Sequence, residues 1–188
     1  VRELMAGSEN GFTQLDAIAF GAGPGAFTGL RVACAVAQGL AVAADLPLAP
    51  VCGLQAMAAA VAEYRVFSLL DARMGEVYAA TYERLGDDPQ LLGEIRLGLP
   101  ATLELPIGEG WVVCGNAPAA YPALAGRLLD AGIRLLPGVL PQADAVARLA
   151  ARRLQRGAAI DPGLAAPLYV RDKVARTISE RLGSGGKA

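Results

Sequence analysis

Apolar residues along this chain fall into short runs punctuated by glycine and proline, and the runs differ in period. Residues 15–20 (Leu-Asp-Ala-Ile-Ala-Phe) form a brief apolar stretch bounded by glycine, which predicts a buried strand. A glycine-rich loop follows over 21–29, and Thr28 is placed to cap a helix over about 29–43. Asp45, Leu46 and Pro47 end that helix, 48–52 reads as a second strand, and 54–64 as a second alanine-rich helix. Strand, loop, helix, strand, helix is the order of a parallel α/β layer. The pattern then changes. Residues 65–71 and 76–82 are strand-like runs joined by Ala72, Arg73, Met74 and Gly75, the signature of an antiparallel turn. Residues 86–89 read as a polar surface loop, and 91–105 has room for a strand and a short helix. A strand over 111–114 ends in Gly115-Asn116, a helix is expected over 119–130, and 144–155 has helical spacing through Val146, Leu149 and Arg153. Residues 1–5 resemble the end of a helix, and the tail from 171 is charged, then rich in Gly and Ser, so its end is expected to fray.

Composition narrows the chemistry. Apolar residues make up 54% of 188, enough for a sizeable core, while the net charge of −1 offers no broad basic face for gripping RNA. The chain has no histidine, so Ser-His-Asp and Cys-His catalysis, histidine general bases and His-ligated zinc are all excluded. Cys34, Cys52 and Cys114 are far apart and set among apolar residues, which predicts reduced core thiols in a cytoplasmic protein. No apolar run reaches the roughly 18–20 residues of a membrane span. The run 32–44 is interrupted by Gln38 and predicts a buried helix of a soluble protein; the start lacks the apolar region of a signal peptide.

The loop over 21–29 admits several readings. It lacks the Gly-Lys-Ser/Thr of a phosphate-binding loop. Gly21, Gly23 and Ala26 satisfy G-x-G-x-x-G/A, and Asp45 falls about 20 residues on, as a dinucleotide fingerprint requires. But Asp45 precedes its strand instead of ending one, and Pro24 removes a backbone N–H from the loop. From the residues alone, a tight strand-to-helix connection with glycines at positive φ remains the plain alternative.

Residues 16–31 (Asp-Ala-Ile-Ala-Phe-Gly-Ala-Gly-Pro-Gly-Ala-Phe-Thr-Gly-Leu-Arg) resemble the signature of the TsaB (YeaZ) family. The resemblance continues through Gly39, Leu40 and Ala41, through Pro50, Val51 and Leu54, and through Asp71-Ala72-Arg73-Met74-Gly75-Glu76-Val77-Tyr78. It resumes at Gly115, Asn116 and Ala117 and again over 167–175. It implies an α/β protein of the actin/Hsp70-like (ASKHA) ATPase fold with two lobes: residues 1–64 as the remainder of the first, 65–175 as the second, and 176–188 as a polar tail. Relative to the family, about 40 residues are absent from the start, among them strands of the first lobe, which would leave a sheet edge exposed. The related enzyme TsaD binds metal through an H-x-x-x-H pair whose positions match Gly53 and Met57 here, so the resemblance implies no catalytic residue and no metal.

The role so implied is a non-catalytic, cytoplasmic subunit in tRNA threonylcarbamoyladenosine formation. It would dimerise alone, pair with TsaD and TsaE homologues, and meet tRNA only through the complex. The interface is expected at Phe27, Thr28, Gly29, Leu30, Arg31, Val32, Ala33 and Ala37. The every-fourth-residue series Gly29, Ala33, Ala37, Ala41 would permit close helix approach, or equally packing inside its own lobe. Gly115 and Asn116 mark a weak nucleotide contact, with ATP or ADP expected only at a site shared with partners. Asp71, Arg73 and Glu76 sit at a turn whose plain reading is salt-bridged or solvated. The rivals are a glycoprotease-like peptidase or weak ATPase working through Asp71 or Glu76, and a small-molecule kinase of the same fold.

Overall fold

The structure, a computed structural model, describes Glu3, Met5, Gly7 and residues 11–171. Glu3 and Met5 are helical. The tail after Arg171, with motif positions 172–175, lies outside the described residues.

The chain is a mixed α/β protein built as stacked layers. β1 (Ile18–Gly23), α1 (Phe27–Ala44) and β2 (Leu48–Cys52) form a β-α-β unit, with β1 and β2 parallel and Ile18 opposite Leu48. Alternation along the strands divides the burial. Phe20 and Ala22 pack with Leu48 against Cys34, Ala37 and Ala41 of α1. Ala49 and Val51 point the other way, onto Ala145, Val146 and Leu149 of α5 (Ala143–Gln155).

The second sheet has five strands in the order β5-β4-β3-β6-β7. β3 (Arg65–Arg73), β4 (Glu76–Leu85) and β5 (Asp88–Gly98) are an antiparallel meander. β6 (Trp111–Cys114) and β7 (Arg134–Leu136) extend it in parallel. Every residue of β6 is buried, as a strand covered on both faces must be. On one face Phe67, Leu69, Val77 and Val113 pack with Leu124 and Leu128 of α4 (Pro122–Asp130). On the other, Val66, Tyr82 and Val112 pack with Leu54 and Met57 of α2 (Gly53–Ala59). Ser68 is fully buried on that face, and its hydroxyl donates to the Leu54 carbonyl at 2.9 Å. α2 is therefore wedged between the sheets.

Several expectations change. α1 is not a buried helix: only Cys34, Ala37 and Ala41 are buried. Its 18 residues are long and apolar enough to cross a membrane by length and composition alone, a test that core helices of soluble proteins also pass. Ala26, not Thr28, is its N-cap, and no side chain caps it. α2 stops at Ala59 instead of running to 64, because the Arg84 guanidinium takes the carbonyls of Ala58 and Val61. The helix expected over 119–130 is broken into α3 (Ala117–Ala120) and α4 by Tyr121, with Pro122 starting the second piece.

Residues 91–105 hold no helix; most belong to the edge strand β5. Asp88 and Pro89, expected in a polar loop, are buried at its start. The Asp88 carboxylate takes ion pairs from Arg152 and Arg156 at the end of α5. That clamp fastens the second sheet to a helix lying on the first. After α5 the chain continues to Ile160, which exchanges both backbone hydrogen bonds with Leu48 (2.9 and 2.8 Å).

Candidate functional site

The carboxyl ends of β1 and β6 and the β3–β4 turn lie near the junction of the two layers, and the notable polar residues gather there. β1 ends at Gly23, followed by a cis Gly23–Pro24 bond and the start of α1. The returning segment closes over this loop, with Leu168 N–H donating to the Ala22 carbonyl at 2.7 Å. Leu30 is half-buried, its methyls within van der Waals reach of Gly23 and Gly25.

Arg31 is fixed by aromatic neighbours. Its guanidinium lies 3.7 Å above the Phe27 ring and 5.9 Å from the Tyr169 ring, and its Nε–H donates to the Tyr169 hydroxyl at 3.1 Å. Such cation–π contacts contribute about 0.5–2 kcal/mol each, depending on exposure. Phe27, Thr28, Gly29 and Arg31 are exposed. Ala33 is half-buried and Ala37 buried, so the every-fourth-residue series turns towards β1, not outwards. The outward face of α1 is instead Val32, Ala35, Val36, Gly39, Val42 and Ala43, all exposed and none charged. Of these only Val32 was expected; the i, i+3, i+4, i+7 spacing of the others was the available signal.

Asp71, Arg73 and Glu76 are brought together at the β3–β4 turn, where Arg73 and Met74 adopt positive φ (61° and 55°). The Asp71 carboxylate accepts the Tyr121 hydroxyl (2.8 Å) and the Arg73 backbone N–H (2.9 Å), and it pairs with the Arg73 guanidinium (3.3 Å). Burial, then the hydrogen bond to Asp71, pushes the Tyr121 phenol above its usual pKa. Glu76 pairs with Arg171 at 2.6 Å. Arg171 also donates to the Ala72 carbonyl, while its buried Nε has no partner among the described residues. Tyr121 and Arg171 were not foreseen as members, because only folding brings residues so distant in sequence together. A cavity of about 290 Å³ lies between Phe27, Leu30, Arg73, Tyr78, Tyr169 and Arg171.

Asn116 Oδ1 accepts the Asp71 backbone N–H at 2.9 Å, joining the predicted nucleotide position to the same turn. Gly115 and Asn116 border a second cavity of about 310 Å³, with Val113, Ala125, Leu135 and Leu140 forming apolar walls. Asp45, the ribose ligand of the dinucleotide reading, instead closes α1 in the left-handed conformation (φ 52°). Gly53 and Met57 are buried in α2 and offer no imidazole; among the described residues no three His, Cys, Asp or Glu side chains converge.

Comparison with known proteins assigns the class first. Residues 1–178 match the family model of TsaD, tRNA N6-adenosine threonylcarbamoyltransferase. Within that class, the tRNA threonylcarbamoyladenosine biosynthesis protein TsaB of Escherichia coli is 34% identical over 187 residues, covering 93% of this chain and 79% of that protein. The TsaB of Haemophilus influenzae is 51% identical over 82 residues, 42% of this chain and 35% of its own. A crystal structure from Pseudomonas aeruginosa, described as similar to peptidase YeaZ, superposes with a TM-score of 0.80 at 32% identity, covering 90% of this chain and 80% of that one. YeaZ from the same organism gives 0.79 at 30%, covering 89% and 81%. The chain belongs to the TsaB (YeaZ) family.

Proposed function

We propose that this protein serves tRNA threonylcarbamoyladenosine biosynthesis as a non-catalytic subunit: it dimerises alone, pairs with TsaD, and admits TsaE to the assembly. The observation that carries this reading is the outward face of α1, an uncharged apolar stripe through Val32, Val36 and Val42 on a helix whose other face is already packed. Such a stripe accommodates a partner helix. A subunit of this kind acts by binding one conformation of its partner more tightly than another, without supplying a reacting group. The two layers correspond, in this reading, to the lobes of an actin-like fold, and the protein works in the cytoplasm. The apolar cavity beside Gly115 and Asn116 suits a purine base in volume and lining. The chain has no Gly-Lys-Ser/Thr loop to hold phosphates, so an ATP or ADP there would rely on partner residues.

The test is a drop-out reconstitution with TsaC, TsaD, TsaE, ATP, threonine, bicarbonate and tRNA, scored by mass spectrometry of nucleosides. Modification is expected to stop without this protein and return on its addition, with no peptide or ATP hydrolysis by the protein alone. Equal modification in its absence overturns the reading. Hydrolysis abolished by Asp71→Asn or Glu76→Gln would install the enzyme in its place.

A further inference from the structure

The segment that returns after Ile160 touches both layers, and it does so unequally. Three side chains on one flank of α1, spaced i, i+3 and i+7, hold it to the first layer. Arg31 donates through Nε to the Tyr169 hydroxyl at 3.1 Å, the Cys34 thiol lies 3.6 Å from the Ala165 carbonyl, and Gln38 Nε2 donates to the Pro162 carbonyl at 2.9 Å. The bond from Leu168 N–H to Ala22 adds a fourth tie, to β1. On the second layer, the polar grip among the described residues comes from one side chain. Arg171 gathers the tip of the β3–β4 hairpin, donating to the Ala72 carbonyl (3.1 Å), the Met74 sulfur (3.1 Å) and the Glu76 carboxylate (2.6 Å). Val170 adds an apolar contact with the cluster that holds Ala72 and Tyr78.

The two ends of that hairpin are fastened differently. β4 runs about 30 Å from Glu76 to Leu85, and Asp88 lies opposite Leu85. At the Asp88 end the carboxylate is 5% exposed and paired twice, and Gln55 of α2 also donates to the Pro89 carbonyl at 2.9 Å. At the Glu76 end there is one ion pair to the first layer's segment, its side chains 16% and 32% exposed. Beside it lies the cavity of about 290 Å³ where packed side chains would otherwise be. The tip is also strained: Arg73, Met74 and Gly75 follow one another in the left-handed region (61°, 55° and 78°), and only the last is glycine. A strained tip with one polar hold and empty space beside it belongs to the low-stability end of a structure.

We propose that residues 162–171 form a latch fixed to the first layer, and that Arg171 is its release point. When Arg171 leaves Glu76, the hairpin tip lifts from the first layer and the cavity widens, while the Asp88 end stays closed as a pivot. The hairpin itself survives the release, because Asp71 stays tied to Tyr121 and Asn116 within the second layer. The latch requires neither a dimer nor TsaD, so it stands or falls apart from the functional reading above.

The experiment follows maleimide labelling, resolved by peptide mass spectrometry, in the full chain carrying Ala72→Cys. Ala72 is 8% exposed and lines the cavity, while Cys114, fully buried in the second layer, reports any general unfolding. Glu76→Gln and Arg171→Gln should each speed labelling at position 72 by about tenfold and leave that of Cys114 within about twofold. Arg171→Lys keeps the ion pair but not the fork, so its rate should fall between the parent and the Gln variants. High salt should speed labelling at position 72 in the parent and change it little in Glu76→Gln. Hydrogen exchange gives the same reading without the added thiol: amides of 71–78 should lose protection in Glu76→Gln while those of β6 keep theirs. Labelling at position 72 that stays as slow in both Gln variants as in the parent overturns the latch. So does a rise there matched by an equal rise at Cys114, since that is loss of the fold and not release of its tip.

Discussion

Two strand-to-helix junctions in this chain carry glycines at nearly the same backbone angle, φ 109° at Gly23 and 111° at Gly115, yet their surroundings differ. At Gly23 an added Cβ would first meet the Leu30 methyls, at 2.8 and 3.2 Å, and then sit 3.3 Å from the Leu168 carbonyl oxygen, a tight but not colliding contact. At Gly115 it would fall 1.9 Å from the Leu69 carbonyl oxygen, in the middle of the five-stranded sheet. A leucine tip can rotate away; a carbonyl held in a ladder cannot. The same local motif is thus an adjustable joint in the first layer and a rigid one in the second. That fits their roles, since the first junction launches the exposed helix α1 and the second tucks a loop against the core.

The largest expected effect is Gly115→Ala. Left-handed strain and backbone collision together should cost about 4 kcal/mol or more, seen as a lowered urea midpoint or a failure to fold. A second-layer result no worse than that at Gly23 would erase the contrast. Next is Asp88→Ala, which strands Arg152 and loosens α5 from the β4–β5 turn. A loss of about 2–3 kcal/mol is expected. By hydrogen exchange, protection should fall around β1 and β2, which α5 covers, more than around β6.

Cys114 sharpens the comparison through pH. Burial pushes its thiol up to about 11. A raised folded pKa means that the unfolded chain loses its proton first. Stability is therefore intact below the ordinary thiol pKa near 9.0 and falls as pH rises from there towards 11. The decline should total about 2–3 kcal/mol, and Cys114→Ala should remove that slope whatever its effect on absolute stability. The smallest effect belongs to Gly23→Ala, at about 1–2 kcal/mol, because backbone strain remains but the steric neighbour yields. A double-mutant cycle with Leu30→Ala should recover the share of the cost due to the Leu30 methyls and leave the strain and the tight Leu168 carbonyl contact.

Local pattern made much of the fold legible. The β-α-β unit, the β3–β4 hairpin and α5 follow from apolar period and from turn residues, which act over a few positions. Three features escaped, one because its cause lies far away in the chain and two because their local pattern is too weak or too short. Asp88 looks like loop chemistry until Arg152 and Arg156 come round to cover it. β5 carries exposed Leu91 and Leu92 on an edge, so its pattern lacks the clean alternation of a half-buried strand. The short β7 has only three residues, too few for any period. At the candidate site, Asp71, Arg73 and Glu76 were legible as a charged turn, whereas the Tyr121 hydroxyl and the Arg171 guanidinium became members only through folding. The outward face of α1 was misjudged for a different reason. Small residues at every fourth position signal close packing, but not whether the neighbour belongs to the same chain, and here Ala37 and Ala41 meet β1 and Leu48.

The closure of the first layer by α5 and Ile160 has a consequence for the order in which the protein is made. Ala143 comes 91 positions after Cys52, so β2 leaves the ribosome long before the helix that covers it. At about 5–20 residues per second, that delay is roughly 5–20 s. Throughout it, Ala49 and Val51 have no lid, and Leu48 lacks the backbone partner that Ile160 will provide. The hairpin of β3 and β4, made in between from sequence neighbours, closes its own backbone ladder at once, although β6 and α4 reach it only later. A nascent chain of this protein therefore has every strand of its later-made sheet before its earlier layer is covered, and that interval is when a chaperone would find it.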